Sequence, residues 1–234
     1  MASQSGNCLG ILDVESTLPS GDAPAPLVGS LLSSASFDLP VITETVKGAW
    51  VDLVVRGDPK LEPSYVAAAK RLVERGAIAI SSYCGGAIRF QAVLAAAVDV
   101  PVLTSSLLLV PVLLRQLPPS KKIAILTLNA RNFREDWLRL NDESQRQRIV
   151  IGGLEDGKLE QNESMCPPQQ TDIADIENEI FACVERLRTA TPEIGALLFS
   201  CTLFPPAAPT IRQRTGLPVY DITTLCRTTL QAIA

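Results

Sequence analysis

Cys84 and Cys201 are the residues of this 234-residue sequence best suited to do chemistry. Each ends a similar apolar run: Gly76-Ala-Ile-Ala-Ile-Ser-Ser-Tyr-Cys84 in one case, Gly195-Ala-Leu-Leu-Phe-Ser-Cys201 in the other. A cysteine titrates near pKa ~8.5, and lower at a helix N-terminus, so a thiolate is accessible near neutral pH. Suppose both thiols face one small molecule. One, as thiolate, takes a proton from a carbon acid; the other, as thiol, returns a proton to the opposite face. That is a two-base racemisation or epimerisation. The chain has no histidine, which excludes a Ser–His or Cys–His dyad, a histidine metal ligand and a histidine base. Acid–base work then falls to Cys, Asp, Glu, Lys or Tyr, and no metal or other cofactor is expected.

The neighbours of the two cysteines fit this chemistry. Gly85 and Gly86 follow Cys84, and Thr202 follows Cys201. Each cysteine precedes a predicted helix start, where backbone N–H groups can bind a substrate carboxylate. The same donors can stabilise the enolate-like charge that develops as the α-proton leaves. The two glycines also permit close approach of a ligand to the backbone. The other four cysteines read as structural. Cys183 and Cys226 lie in predicted helices, Cys8 adjoins the first strand, and Cys166 sits in a polar loop. No C-x-x-C pair occurs. With no basic and apolar leader at Met1-Ala-Ser-Gln-Ser-Gly-Asn, reduced thiols in a cytoplasmic protein are expected.

The elements that must carry these residues are short buried strands alternating with helices. Leu9–Asp13, Leu39–Val46, Ala77–Ile80, Val100–Leu103, Ile123–Thr127, Gly195–Phe199 and Leu217–Tyr220 are predicted strands. Trp50–Val55 is predicted as a further extended piece. Glu15–Leu39 and Gly152–Gln170 read as long loops. Helices are expected from Pro63 to Gly76, over about Ile88–Ala97, around Phe133, Trp137 and Leu140, from Ile173 to Leu187 on an amphipathic pattern, and at the C-terminus.

An internal repeat organises this list. Pro101 and Pro218 each open a Pro-Val strand, and each follows its cysteine by 17 residues (84 to 101, 201 to 218). Hydroxyl residues come next in both copies: Thr104, Ser105 and Ser106, then Thr223 and Thr224. The expected fold is therefore α/β, with two pseudo-symmetric, parallel-sheet, Rossmann-like halves and the active site in the cleft between them. The first half is expected to take residues 1–113 and the C-terminal return 208–234, the second half 114–207. Ligands in such sheets bind beyond the carboxyl ends of the strands, where both cysteines fall.

Tyr83-Cys84-Gly85-Gly86 and Ser200-Cys201-Thr202 resemble the paired cysteine motifs of the aspartate/glutamate racemase superfamily, which includes hydantoin racemases, maleate isomerases and arylmalonate decarboxylases. The superfamily commonly carries Cys-Asn-Thr first and Gly-Cys-Thr second; here Gly85-Gly86 replaces Asn-Thr. The resemblance covers almost the whole chain. It implies a cofactor-independent racemase or epimerase acting at the α-carbon of a small carboxylate, such as an amino acid or related carbon acid. It also implies a polar or acidic substrate contact at the end of the first strand, from Asp13 or Glu15, and a hydroxyl-bearing stretch at Thr127 and Asn129. Thr104 and Ser105 are further candidates, although hydroxyls after a strand also cap helices. A dimer or larger homo-oligomer is implied as well. The alternatives are a maleate-isomerase-like or decarboxylase-like enzyme and a catalytically silent small-acid binding protein.

Composition narrows the partners. The chain is 47% hydrophobic and 20% charged, with net charge -4 and no basic run. Nucleic acid is not an expected partner, because phosphate binding needs clustered Lys and Arg. The most apolar stretch, Val100–Leu114, is interrupted by Pro101 and Pro111 and is too short to span a bilayer.

Overall fold

A computed structural model describes residues 7–17 and 25–233. The chain divides into two compact units. One is built on Pro26–Ser105 together with the first strand and the last helix; the other is built on Ser106–Asp221. Each contains a four-stranded parallel sheet, in the orders β2-β1-β3-β4 and β6-β5-β7-β8. The α/β class and the duplicated parallel sheets expected from the sequence are present.

In the first unit, β1 (Cys8–Asp13) pairs with β2 (Val41–Thr45) and β3 (Ala77–Ser82), and β3 pairs with β4 (Val102–Leu103). Helices α1 (Val51–Arg56), α2 (Glu62–Glu74) and α3 (Gln91–Ala95) connect them. Strand periodicity decides which side chain meets which layer. Cys8 and Leu12 join Tyr65, Ala68, Ala69 and Leu72 of α2 in one core. Leu9 and Ile11 point the other way, into a second core with Leu31, Phe37 and the last helix. Gly10 faces α2 at close range. A Cβ there would stand 2.9 Å from Ala77 Cβ and 3.1 Å from Leu72 Cβ. Gly10→Val is therefore expected to cost about 1–3 kcal/mol by overpacking. Thermal unfolding checks this, and an unchanged Tm would contradict the packing.

The second unit opens with α4 (Val110–Gln116). Its strands are β5 (Lys122–Thr127), β6 (Ile149–Gly153), β7 (Ile194–Phe199) and β8 (Val219–Tyr220). Helices α5 (Glu143–Arg146), α6 (Lys158–Glu163), α7 (Ile173–Ala190) and α8 (Ala208–Thr215) link them. Ala124 and Leu126 pack with Ile176, Ile180 and Val184 of α7 and Ile211 of α8. The final helix, α9 (Ile222–Ile233), belongs to the first unit, where Ile222, Cys226 and Leu230 close the second core.

Four expectations need correction. Trp50–Val55 is not extended. It forms α1, which runs to Gly57, and Gly57 takes the left-handed C-cap at φ 70°. The valines there look strand-like but line one turn of helix. Gly152–Gln170 is not one loop, because it contains the end of β6 and all of α6. The two glycines hid β6: a Cβ on Gly152 would stand 2.6 Å from Leu187 Cδ1, so the strand needs glycine to pass under α7. The helix expected near Ile88 begins as a 3-10 turn at Gly85–Phe90 and leaves only the short α3. The units divide at Ser105/Ser106 and Asp221/Ile222, not at 113/114 and 207/208, because α8 packs on α7 and β8 pairs with β7. The expected long loop over Glu15–Leu39 lies partly outside the described residues, and its described part includes a 3-10 turn at Ser34–Ser36. Among the described residues, no helix is long and apolar enough to cross a membrane.

Candidate active site

The register of the two sheets places the cysteines identically. In the first unit, Leu9 pairs with Ala79 and the ladder runs on to Leu12 with Ser82. In the second, Ile123 pairs with Ala196 and the ladder runs on to Leu126 with Phe199. Both ladders shift register at their first pair, between Cys8 and Leu9 and between Lys122 and Ile123. Both end the same way. The Tyr83 N–H donates to Leu12 O at 2.9 Å, and the Ser200 N–H donates to Leu126 O at 2.8 Å. The next residue is Cys84 in one sheet and Cys201 in the other. The outer strands agree too, with Ile80 opposite Val102 and Leu197 opposite Val219. The repeat seen in the sequence is thus a structural one, and each cysteine stands at the carboxyl end of its sheet, where α/β proteins bind ligands.

Cys84 is half-buried and occupies the extended position just before the Gly85–Phe90 turn. Burial pushes its thiol up from the ordinary value, and the backbone N–H groups of Gly86 and Ala87 pull it partly back. The sulfur is thus a desolvated, strong base once ionised, with N–H dipoles beside it to hold the charge. Gly86 is itself buried, and a Cβ on it would stand 3.2 Å from Val55 Cα. Packing against α1 therefore accounts for this glycine, and what it brings to Cys84 is its N–H. Ser82 Oγ donates to Leu12 O at 3.3 Å and accepts from Cys84 N at 3.4 Å, which ties the cysteine's backbone to β1.

Asp13 closes β1 at the same end of the sheet. Burial pushes its carboxyl up, against the pull of the Val14 N–H at 2.9 Å. Glu15 lies two residues further and its Oε1 accepts from Gly48 N at 3.0 Å, so it braces the loop before α1. Thr104 and Ser105 follow β4 and are buried. The Thr104 hydroxyl donates to Gln91 Oε1 at 2.7 Å, and its N–H does so at 3.0 Å, while Gln91 Nε2 donates to Val102 O at 2.8 Å. One carboxamide therefore fixes the strand end at which Thr104 sits. In sum, Asp13, Cys84, Gly85, Gly86, Thr104 and Ser105 gather at the carboxyl end of one sheet.

The second unit repeats the arrangement with different side chains. Cys201 is half-buried in the turn after β7, and Phe204 N donates to its carbonyl at 3.3 Å. Ser200 Oγ donates to Leu126 O at 3.1 Å, as Ser82 does to Leu12. Thr202 is buried beside it. Thr127 ends β5, half-buried. Asn129 caps the next turn, its Oδ1 accepting from Arg131 N at 2.9 Å while its Nδ2 donates to Glu160.

Tyr65, on the buried face of α2, is a residue that its sequence context does not single out. It is 0% exposed and stacks on Phe90, with ring centroids 4.4 Å apart. Its hydroxyl makes no hydrogen bond of good geometry among the described residues, with the Ser82 hydroxyl as a neighbour. Burial, and next the charges of Cys84 and Asp13, push this phenol well above its usual range, with the Ser82 hydroxyl opposing. The signal available in the sequence was a tyrosine on a helix face otherwise lined by alanines and aliphatic residues.

No protein-family model matches the chain. Among curated proteins, it is 30% identical over 210 residues to a dimethylsulfoniopropionate lyase of Durusdinium sp. clade D, covering 84% of this chain and 67% of that one. It is 26% identical over 219 residues to dimethylsulfoniopropionate lyase 7 of Emiliania huxleyi, covering 89% of this chain and 63% of that one. Against two further lyases of that organism the chain spans 56% of their length. Among solved structures, a variant of arylmalonate decarboxylase superposes with TM-score 0.58 at 21% identity, over 96% of this chain and 92% of that one. A glutamate racemase from Bacillus anthracis superposes with TM-score 0.58 at 14% identity, over 98% and 82%. These last likenesses show a shared fold.

Proposed function

The chain belongs to the dimethylsulfoniopropionate lyase family, on the fold of the aspartate/glutamate racemase superfamily, and from that premise we propose that it is a carbon–sulfur lyase that starts by removing an α-proton from a small carboxylate. The observation that carries this reading is the pair of cysteines in matched register, Cys84 and Cys201, each just past the carboxyl end of its sheet.

Racemisation and elimination share their first step. A thiolate takes the proton from the carbon next to the carboxylate, and the electron pair left behind is held as an enolate-like anion. In a racemase that anion is reprotonated. In a β-sulfonio carboxylate it has another outlet. The pair forms the new Cα–Cβ double bond, the Cβ–S bond breaks, and sulfur keeps its electrons. Dimethylsulfoniopropionate thus becomes dimethyl sulfide and acrylate, and the proton stays on the thiol until solvent takes it. No oxidant, metal or carrier enters this balance.

We assign the proton-abstracting role to Cys84. Its desolvated sulfur is a strong base when ionised, and its neighbouring N–H dipoles stabilise the thiolate. Asp13, Glu15, Gly85, Gly86, Thr104, Ser105, Thr127, Asn129 and Thr202 remain proposed substrate contacts. With the Gly86 and Ala87 N–H groups turned to the Cys84 sulfur, the Gly85 N–H and the Thr127 hydroxyl are the donors suited to a carboxylate. Thr104 has its hydroxyl proton engaged with Gln91 and serves better through its position than through that proton.

The test is direct. Purified protein is incubated with dimethylsulfoniopropionate, dimethyl sulfide is measured in the headspace, and acrylate is measured by NMR. Formation of both in equal amounts supports the lyase. The paired cysteines favour a second reading, a two-base racemase or epimerase. A panel of amino acids, hydantoins and dicarboxylates in deuterated solvent separates the two. Exchange of an α-proton without loss of a β-substituent favours the isomerase. No product and no exchange on any of these compounds would reject both. The variants add a second separation: isomerisation needs both thiols equally, whereas elimination needs one base, so Cys201→Ser then costs less than Cys84→Ser.

A further inference from the structure

Tyr65 is a fully buried phenol whose hydroxyl makes no hydrogen bond of good geometry among the described residues. Such a group is costly in a core, because it leaves water and gains nothing in return. It sits in the same packed cluster against which Cys84 lies, held in place by the stacked ring of Phe90. Around it stand three polar groups at the sheet end: Ser82, Cys84 and Asp13. Ser82 Oγ already donates to Leu12 O and accepts from Cys84 N.

We propose that Tyr65 is a positioning residue for Cys84, its hydroxyl donating to the Cys84 sulfur when that sulfur is ionised and so holding the base in its anionic form. The proposal rests on the reading of Cys84 as the base. In the resting thiol the hydroxyl has little to gain, which is why it stands without a partner. In the thiolate it meets a charged acceptor, and hydrogen bonds to charged groups are the strong ones. The burial that raises the Cys84 thiol also makes such a bond worth more. The phenol keeps its own proton throughout, since burial and the charges of Cys84 and Asp13 all oppose its ionisation.

Several of the other charges on the elements around α2 are committed elsewhere. Glu44 of β2 pairs with Arg71 and Arg75 at the surface. Glu15 is held by the Gly48 N–H, and the Asp52–Arg56 pair of α1 is exposed. Arg89, in the turn after Cys84, lies against Gly57, where a Cβ would come within 2.6 Å of its Nε. Asp13 is the one carboxyl among these that acts on Tyr65.

Tyr65→Phe is the test, because it keeps the ring stack and removes only the hydroxyl. The thiolate is followed by its ultraviolet absorbance during a pH titration. Subtracting the same titration of a Cys84→Ser protein isolates Cys84, and the pair is repeated with Tyr65→Phe. The expected result is a rise of the Cys84 midpoint by about one to two pH units, with Tm unchanged or higher. With a turned-over substrate, kcat at neutral pH falls by up to about tenfold for each unit of that rise, and KM holds. An unmoved midpoint overturns the proposal and points to Ser82 as the acceptor. A lower Tm also overturns it, since the hydroxyl must then have had a partner in the folded protein. The titration needs no substrate, so it stands or falls apart from the lyase reading.

Discussion

Replacing Cys84 with serine is expected to lower turnover by about 10³-fold or more while leaving the fold intact. General-base catalysis alone contributes about 10²–10⁴-fold. A serine hydroxyl does not ionise near neutral pH, so the variant loses the base entirely. The change is close to isosteric at a half-buried turn position, and the β3 ladder that fixes the site is made by backbone groups. Circular dichroism and Tm should therefore match the parent. The comparison is made on whichever substrate the parent turns over. Retention of more than a tenth of the parent rate would remove Cys84 from the chemistry.

The second large effect is on the pH profile. Burial raises the Cys84 thiol, so at neutral pH the resting enzyme holds it mostly protonated. The active form is the thiolate. Turnover should then climb with pH, about tenfold per unit while the thiolate is the minor form, and level off as pH passes the thiol's own value. The sign is fixed by the direction of the shift, since a lowered thiol would give a flat profile across neutral pH. The profile of kcat/KM between neutral and mildly alkaline pH reads this out. A flat or falling limb there would contradict the assignment of Cys84 as the base. Linkage gives a companion effect on stability. A raised thiol favours the folded state below the unfolded value, and that contribution is lost as pH rises through the folded one.

The parts of this fold legible in the sequence were those with strong local signals. The strand runs ending at Cys84 and Cys201, the proline-led outer strands and the amphipathic α7 all read from period and composition. The matched spacing of 17 residues to Pro101 and Pro218 proved to be matched register, because the sheets share one strand order and the same early shift in pairing. What was missed had a physical reason in each case. The glycines that end β6 read as loop, yet Gly152 is needed for α7 to lie on that strand. The valines of α1 read as strand, and only the left-handed Gly57 marks the helix end. At the carboxyl end of each sheet, the cysteine and the residues after it were legible. Tyr65, Ser82 and Gln91 were not, because their importance comes from contacts over 10 to 70 positions, such as Ser82 to Leu12 across 70.

The substitution of Gly85-Gly86 for the Asn-Thr common in the superfamily takes a clearer meaning from the packing. Gly86 lies against Val55, where a longer side chain would push α1 away. The first copy thus brings backbone N–H groups to its cysteine, where the second carries Thr202 next to it. An asymmetric pair of this kind fits a reaction in which one thiol does the proton abstraction.

The measurement that tests this account most directly is a comparison of dimethylsulfoniopropionate deuterated at the α-carbon with the same compound deuterated at the β-carbon. If a thiolate removes the α-proton, the α-deuterated compound is consumed more slowly than the unlabelled one, the β-deuterated compound is consumed nearly as fast, and Cys84→Ser consumes neither. Equal rates for both labelled compounds, or undiminished turnover by Cys84→Ser, would contradict it.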